Sequence, residues 1–462
     1  MPRSVPRQLA RTAAASLLVA VALSSAQPAL AEAPADVRVP CSPAALAAAI
    51  TGAVSGQTLQ LAPSCRYVLT APLPAVSQNL TIQGRKATLQ RSTLPATAQF
   101  SLLTVTAGNL AVSQLNFRNG YGGAITFDPD TNGSLSVTGG SFTGNTGGAI
   151  DFGPFTTGAL SVTRSAFTRN TGGAVNATWM NYSTSGPTLT GDAFTGNTGG
   201  AVNHSSWSGP LTVTGDTFTG NTGGGINCED DTPDCEASIT RSTFTRNTGS
   251  AITSVSPVGD ITVTDSTFRV NSAADGGGID VNGQNGVTLT VTGDTFTGNS
   301  ATAAGGAIYD TNADVTATGD TFTGNTAPSG GAIANEGEAT VTVTGSTFRR
   351  NAAASVGGAI YNQCVAAVTG TTFDQNTAGS GGGAIEQEAG CFGILSFTLT
   401  LSLTRSQVLG SRIQPARWKE HRAGDYASHP ASLRPICSLC DDMSATLDGI
   451  QHHNRNGPPA GR

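Results

Sequence analysis

The stretch FTGNTGGAI, Phe142 to Ile150, decides the fold, because it returns as FTRNTGGAV from Phe167, FTGNTGGAV from Phe194 and FTGNTGGGI from Phe218. The aromatic recurs at Phe117, Phe142, Phe167, Phe194, Phe218, Phe244, Phe268, Phe296, Phe322, Phe348 and Phe373, in steps from 24 residues (Phe194 to Phe218) to 28 (Phe268 to Phe296). From Phe142 onward an Asn follows each Phe by three positions, as in Asn145 and Asn376, and a GGAI-like group ends each period. Between these groups lies an alternating run such as LSVTG, LTVTG or VTVTG. Repetition at a fixed period overrides the domain count that 462 residues would otherwise suggest.

Apolar and polar residues alternate over short spans, which argues for strands with one buried face, and Val and Thr suit a pleated surface. Each period holds three strands: one after the glycine pair, one at LTVT and one at the TF of FxxN. Helical repeats are excluded, since no apolar spacing of 3.6 residues survives the glycine pairs. A unit of ~25 residues cannot bury its inner face alone, whereas parallel stacking at about 4.8 Å per coil buries it against its neighbours. The expected fold is therefore all-β, a parallel β-helix of about 14 coils and roughly 65–70 Å. Phe and the GGAI aliphatic point inward and stack, Asn forms an amide ladder at a turn, and the glycine pair makes a tight corner. Before the repeats, SPAALAAAITGAV reads as a short capping helix, with Ser42 as N-cap and Pro43 in the first helical position. Such a helix would cover the exposed edge of the first coil.

The paired FxxN and GGAI motifs resemble the repeats of the chlamydial polymorphic outer membrane proteins, and the coil is similar to right-handed parallel β-helices of the pectate-lyase type. The resemblance covers about 79–409, with eleven copies in register. It implies the right-handed sense and a surface or adhesive role. Those relatives end in a membrane β-barrel; no run of ~10-residue alternating strands follows the repeats here.

Around the repeats, the N-terminus sets Arg3, Arg7 and Arg11 before an apolar AAASLLVAVAL and a small-residue ALAEA, the order of an export signal over 1–31. Residues 32–78 read as the cap and first irregular coils, and 79–411 as the β-helix. From 412 the texture changes to RIQPARWKEHRAGDYASHP, and 412–462 are expected to form a disordered tail of non-native character, such as a shifted reading frame produces. The mature chain is expected to be secreted, without a membrane span. Eight cysteines in an exported chain favour disulfides, paired by position as Cys41 with Cys65, Cys228 with Cys235, and Cys364 with Cys391. Charged residues are 12% and lysine occurs only at Lys86 and Lys419, so nucleic acid is not an expected partner.

The loops after the GGAI strand gather aromatics: Phe127, Phe152, Phe155, Trp179, Tyr182 and Trp207, with His204 beside the last. Rings in successive loops would form a platform for sugars. DPDTNG offers Asp128, Asp130 and Asn132 as oxygen ligands in the manner of half a calcium loop, although Gly139 stands where such a loop ends in Glu. Calcium is thus the one candidate ion, and no cofactor is required. A polar column follows the GGAI aliphatic at Asp151, Asn176, Asn203, Asn227 and Asp280, then one residue further on at Asp310, Asn335 and Asn362. Scattered acids and a single histidine within the repeats disfavour a polysaccharide lyase or hydrolase. The leading expectation is a secreted rod acting as adhesin or scaffold on a cell-surface ligand, the alternative a polysaccharide-binding protein.

Overall fold

The computed structural model describes residues 34–128, 133–153, 158–177, 186–205, 209–228, 235–255, 259–283, 287–387 and 399–400. The chain divides into two units, Met1–Ala416 and Arg417–Arg462, and the second lies wholly outside the described residues. So do the export signal over 1–31 and the tail over 412–462. What is described is an all-β, right-handed parallel solenoid of about 13 turns with one helix. The count is lower than the expected 14 because Val37–Val39 supplies one wall only, pairing with Gln57–Leu61 before the chain turns into the helix.

Three parallel sheets form the walls. The largest holds both the LTVT and the TFT strands, and its register sets Phe142 opposite Phe117 and Phe167 opposite Phe142. From Phe117 to Phe373 the rings form one internal stack, centroids 4.6 to 5.1 Å apart and planes within 3° to 12°. Parallel rings in contact need only about 3.5–4.0 Å between carbons, so each ring is slipped across the next, the favoured offset arrangement. The second sheet repeats the GGAI aliphatics, Ile125 against Ile150 against Val175 and so on to Ile385. The third sheet comprises Ser272–Asp275, Ser300–Ala304, Thr326–Ser329, Ala352–Val356 and Thr377–Ala378.

Two ladders fix the corners. Asn221 shows the first: its Nδ2 donates to Asn247 Oδ1 at 3.0 Å and to the Phe194 carbonyl at 3.1 Å, while its Oδ1 accepts from the Asn197 backbone N–H at 2.9 Å and Nδ2 at 3.0 Å. One side chain thus satisfies backbone groups that burial would otherwise leave unpaired. The glycine pair supplies the second corner. Gly147 and Gly148 have φ 81° and 105°, and a Cβ on Gly147 would lie 3.0 Å from the Gly122 Cα.

The helix is Pro43–Thr51, and the Ser42 hydroxyl accepts from the Ala45 N–H as its cap. Leu46 and Ile50 are buried in the same core as the first coils. Cys41 is joined to Cys65 and Cys228 to Cys235. Cys364 is also disulfide-bonded, and its expected partner Cys391 lies outside the described residues.

Candidate functional site

The structure removes three residues from the expected sugar platform. Phe127 and Phe152 are fully buried and stack on each other inside the solenoid, centroids 4.7 Å apart. The reason is the period of two: Ile125 and Ile150 point inward, the strands continue to Phe127 and Phe152, and residues two apart share a face. His204 falls in the same internal file, two residues after Val202 and between Ala177 and Cys228. It is 2% exposed, and burial pulls its imidazole down to about 4 despite a backbone hydrogen bond with Gly209, so it is neutral and shielded from solvent. Phe155, Trp179, Tyr182 and Trp207 lie outside the described residues, as do Asp130 and Asn132 of the calcium proposal. Asp128 is described and exposed. Among the described residues no three His, Cys, Asp or Glu side chains gather as a metal site.

The polar column splits between the two faces of one wall. Asn176, Asn203 and Asn227 point outward and ladder, with Asn203 Nδ2 donating to Asn176 Oδ1 at 2.8 Å and Asn227 Nδ2 to Asn203 Oδ1 at 2.9 Å. Each also bonds a corner carbonyl, that of Gly172, Gly199 or Gly223. Asp310, Asn335 and Asn362 stand one residue later and are therefore inside, fully buried. Asn335 Nδ2 donates to Asn362 Oδ1 at 2.7 Å, and Asn362 Nδ2 to Gln387 Oε1 at 2.7 Å. Burial pushes the Asp310 carboxyl up to about 8, so it carries a proton at neutral pH. Asp310 Oδ2 and Asn335 Oδ1 are both buried with no hydrogen-bond partner, and the register sets the two residues opposite each other in adjacent coils.

What remains outward and chemically distinctive is the corner between the second and third sheets, which the sequence reading did not single out. The outward file of the second sheet runs Asp280, Tyr309, Ala334, Tyr361, Glu386 in successive coils. Tyr309, Ala334 and Tyr361 pack with Ala304 and Val356 of the third sheet, an apolar cluster separate from the core. Carboxylates surround it. Tyr309 Oη donates to Glu336 Oε2 at 3.0 Å, Asp275 Oδ1 accepts from the Ala304 N–H at 3.1 Å, and Gln363 Nε2 donates to Tyr361 Oη at 3.0 Å. Burial, reinforced by the charge of Asp275, raises Asp280 to about 7. Burial also raises Tyr309 to about 12, keeping its phenol protonated. Tyr361 is only 6% exposed and Ala334 is fully buried, so the partly exposed Tyr309 ring and the Glu336 carboxylate are what this corner offers to a ligand. The available signal was the replacement of the usual NTGGAI by ADGGGID at Asp275 and Asp280, and of the residue after the aliphatic by Tyr309 and Tyr361.

The chain matches the model of the right handed beta helix region over residues 132–296. It matches the Chlamydia polymorphic membrane protein repeat over 295–311, 321–336, 345–363 and 370–386. The expected resemblance is therefore present in both parts, repeat and coil. No curated protein matches. Among solved structures, the chain is similar to the catalytic unit of a thermostable GH87 alpha-1,3-glucanase from Streptomyces thermodiastaticus strain HF3-3, at 17% identity over 77% of this chain and 69% of that one, TM-score 0.42. PfbA, a surface adhesin of Streptococcus pneumoniae, aligns at 11% identity over 66% and 85%, TM-score 0.42. Tailspike protein 3 of bacteriophage CBA120 aligns at 12% over 72% and 56%, TM-score 0.29. Scores this low carry no argument about activity.

Proposed function

We propose that this protein is an extracellular binding rod, an adhesin or scaffold that works by presenting surface rather than by catalysis. The observation that carries the reading is where the repeated residues go: from Phe142 onward the Phe, Asn and aliphatic of each described period are spent on internal stacks and ladders, which makes a stiff solenoid with regular outward files. The bonded cysteines agree with an oxidising compartment outside the cytoplasm. Among the described residues no helix is long and apolar enough to cross a membrane.

The partly exposed Tyr309 beside Glu336 favours a second, narrower reading, that the ligand is a polysaccharide. Its test is a glycan and polysaccharide array probed with the full chain and the Tyr309→Phe, Tyr309→Ala and Glu336→Gln variants. The expected result is binding to a neutral polysaccharide, weakened about tenfold or more by Tyr309→Ala, since an aromatic ring face anchors such ligands. Binding that all variants retain moves the ligand away from this corner. Release of reducing ends from the bound polymer would overturn the non-catalytic reading.

A further inference from the structure

The outward face of the large sheet carries a threonine lattice. The last position of the LTVT strand is threonine in every coil from Thr138 to Thr369, each partnered with the next in register. Two residues earlier on the same strands a second file runs beside it, formed by Ser and Thr from Ser136 to Thr342. Threonine fills both positions in four successive coils, Thr262 and Thr264, Thr290 and Thr292, Thr316 and Thr318, and Thr342 and Thr344, and the last three of these make up the span Thr290–Thr344. Over this span neither file contains a charged residue; the nearest charge on the same outward face is the exposed Asp314, two residues before Thr316, which accepts from the Thr340 N–H at 2.8 Å. After Thr318 and Thr344 the chain turns at Gly319 and Gly345, where a Cβ would meet nothing within 4 Å, whereas a Cβ on Gly293, after Thr292, would lie 2.9 Å from Asp265 Oδ1. In earlier coils Arg164, Arg241 and Asp265 take that place.

The spacing is set by the backbone. Along the axis the repeat is that of the coils, which the stacked rings mark at 4.9 and 4.6 Å across Phe296, Phe322 and Phe348. Along the strand the two files are about 6.6–6.8 Å apart, two residues of β rise. Threonine is β-branched and stiff at χ1, so its hydroxyl and methyl hold fixed positions, and each hydroxyl both donates and accepts. A row of such groups holds first-layer water in fixed sites at little entropic cost per molecule. A charged or long flexible side chain would instead impose its own hydration shell. Ice likewise presents rows of oxygens at a fixed repeat, and the two threonine files, like those rows, carry no charge of their own.

We propose that the threonine face over Thr290–Thr344 binds the surface of ice. The occupant is water already ordered as a crystal, held by many weak, registered contacts rather than by one pocket.

The test uses the full chain in ice-affinity partitioning, with observation of single ice crystals for faceting and for a gap between melting and growth temperatures. Retention in the ice fraction with faceted growth is expected for the parent. The Thr292→Lys/Thr318→Lys/Thr344→Lys variant should fall to the level of a non-binding control while keeping the parent's circular dichroism and melting temperature, because all three side chains point away from the core. Should that variant unfold, the single Thr318→Lys is read in its place and should partition less than the parent. The Tyr309→Ala variant should partition like the parent, which separates this face from the proposed polysaccharide corner. Exclusion of the parent from ice overturns the proposal. So does retention of ice binding by the folded lysine variant, as does adsorption to crystalline chitin or cellulose, or self-association, through this face without any to ice.

Discussion

At the scale of single residues, the corner before each laddered Asn exposes a strain that sequence spacing hides. Arg246 sits there with φ 53°, in a position that Gly220 and Gly298 fill in other coils with φ 61° and 62°. An L-residue in this left-handed region costs about 1–2 kcal/mol, whereas glycine forfeits about 0.5–1 kcal/mol of chain entropy. Arg246→Gly should therefore stabilise the protein by about 0.5–1 kcal/mol, read as a higher urea midpoint at unchanged m-value. A lower midpoint would mean that the arginine stem recovers the strain through packing. The alternation of FTGN and FTRN was visible in the sequence, but that its third position is left-handed was not, since only the traced corner fixes φ. The same limit misplaced Phe127 and Phe152: whether a strand ends at the aliphatic or runs two residues further decides between a surface ring and a core ring. It also hid the Tyr309 and Tyr361 corner, whose partners come from coils a full period apart.

Among the structural elements, the aromatic stack tests whether coils support one another. Phe218 is flanked by Phe194 and Phe244 at 4.8 and 4.6 Å, whereas among the described residues Phe373 meets one ring of the stack, Phe348 at 5.1 Å. Phe218→Ala should cost about 3–5 kcal/mol, the range for deleting a buried ring, and Phe373→Ala clearly less, in matched chemical denaturation. Equal losses would show that the stack adds nothing beyond each ring's own burial. A void in mid-stack matters more because each coil touches only its neighbours, so one weak interface divides the array. The strands of the first two walls were legible because β-branched alternation reports its own face. The third wall was not: SATAA and AAASV carry no alternating pattern, and alanine and serine have little β preference. They become strands through pairing with the equivalent segments of adjacent coils.

For the molecule as a whole, buried carboxylates set the response to pH. Asp192 and Asp320 are raised to about 7, and Asp216 and Asp294 to about 6, in each case chiefly by burial in a corner where they accept backbone N–H bonds from the preceding coil. Asp310 reaches about 8 and Asp280 about 7 by the same cause. Unfolded, these groups titrate near about 3.9. Between that value and the folded ones the native state binds more protons than the unfolded chain, so stability falls as pH rises and levels off once the folded groups have ionised. The melting temperature should therefore decline from about pH 4 to about pH 8, and Asp310→Asn should flatten the upper part of that slope; a melting temperature rising across this window would contradict the assignment. This behaviour was not legible in the sequence, where GD before TFTG reads as an ordinary turn. By itself the sequence determined the solenoid, its inward Phe and Asn files, the helical cap and two of the cysteine pairs, because a period of about 25 residues with internal alternation permits one way of burying identical faces. Tertiary structure alone decided which face each residue after the aliphatic takes, the third wall, the protonated carboxyls and the tyrosine corner. Those depend on what the next coil places about 4.8 Å away, and that neighbour lies a full period distant along the chain.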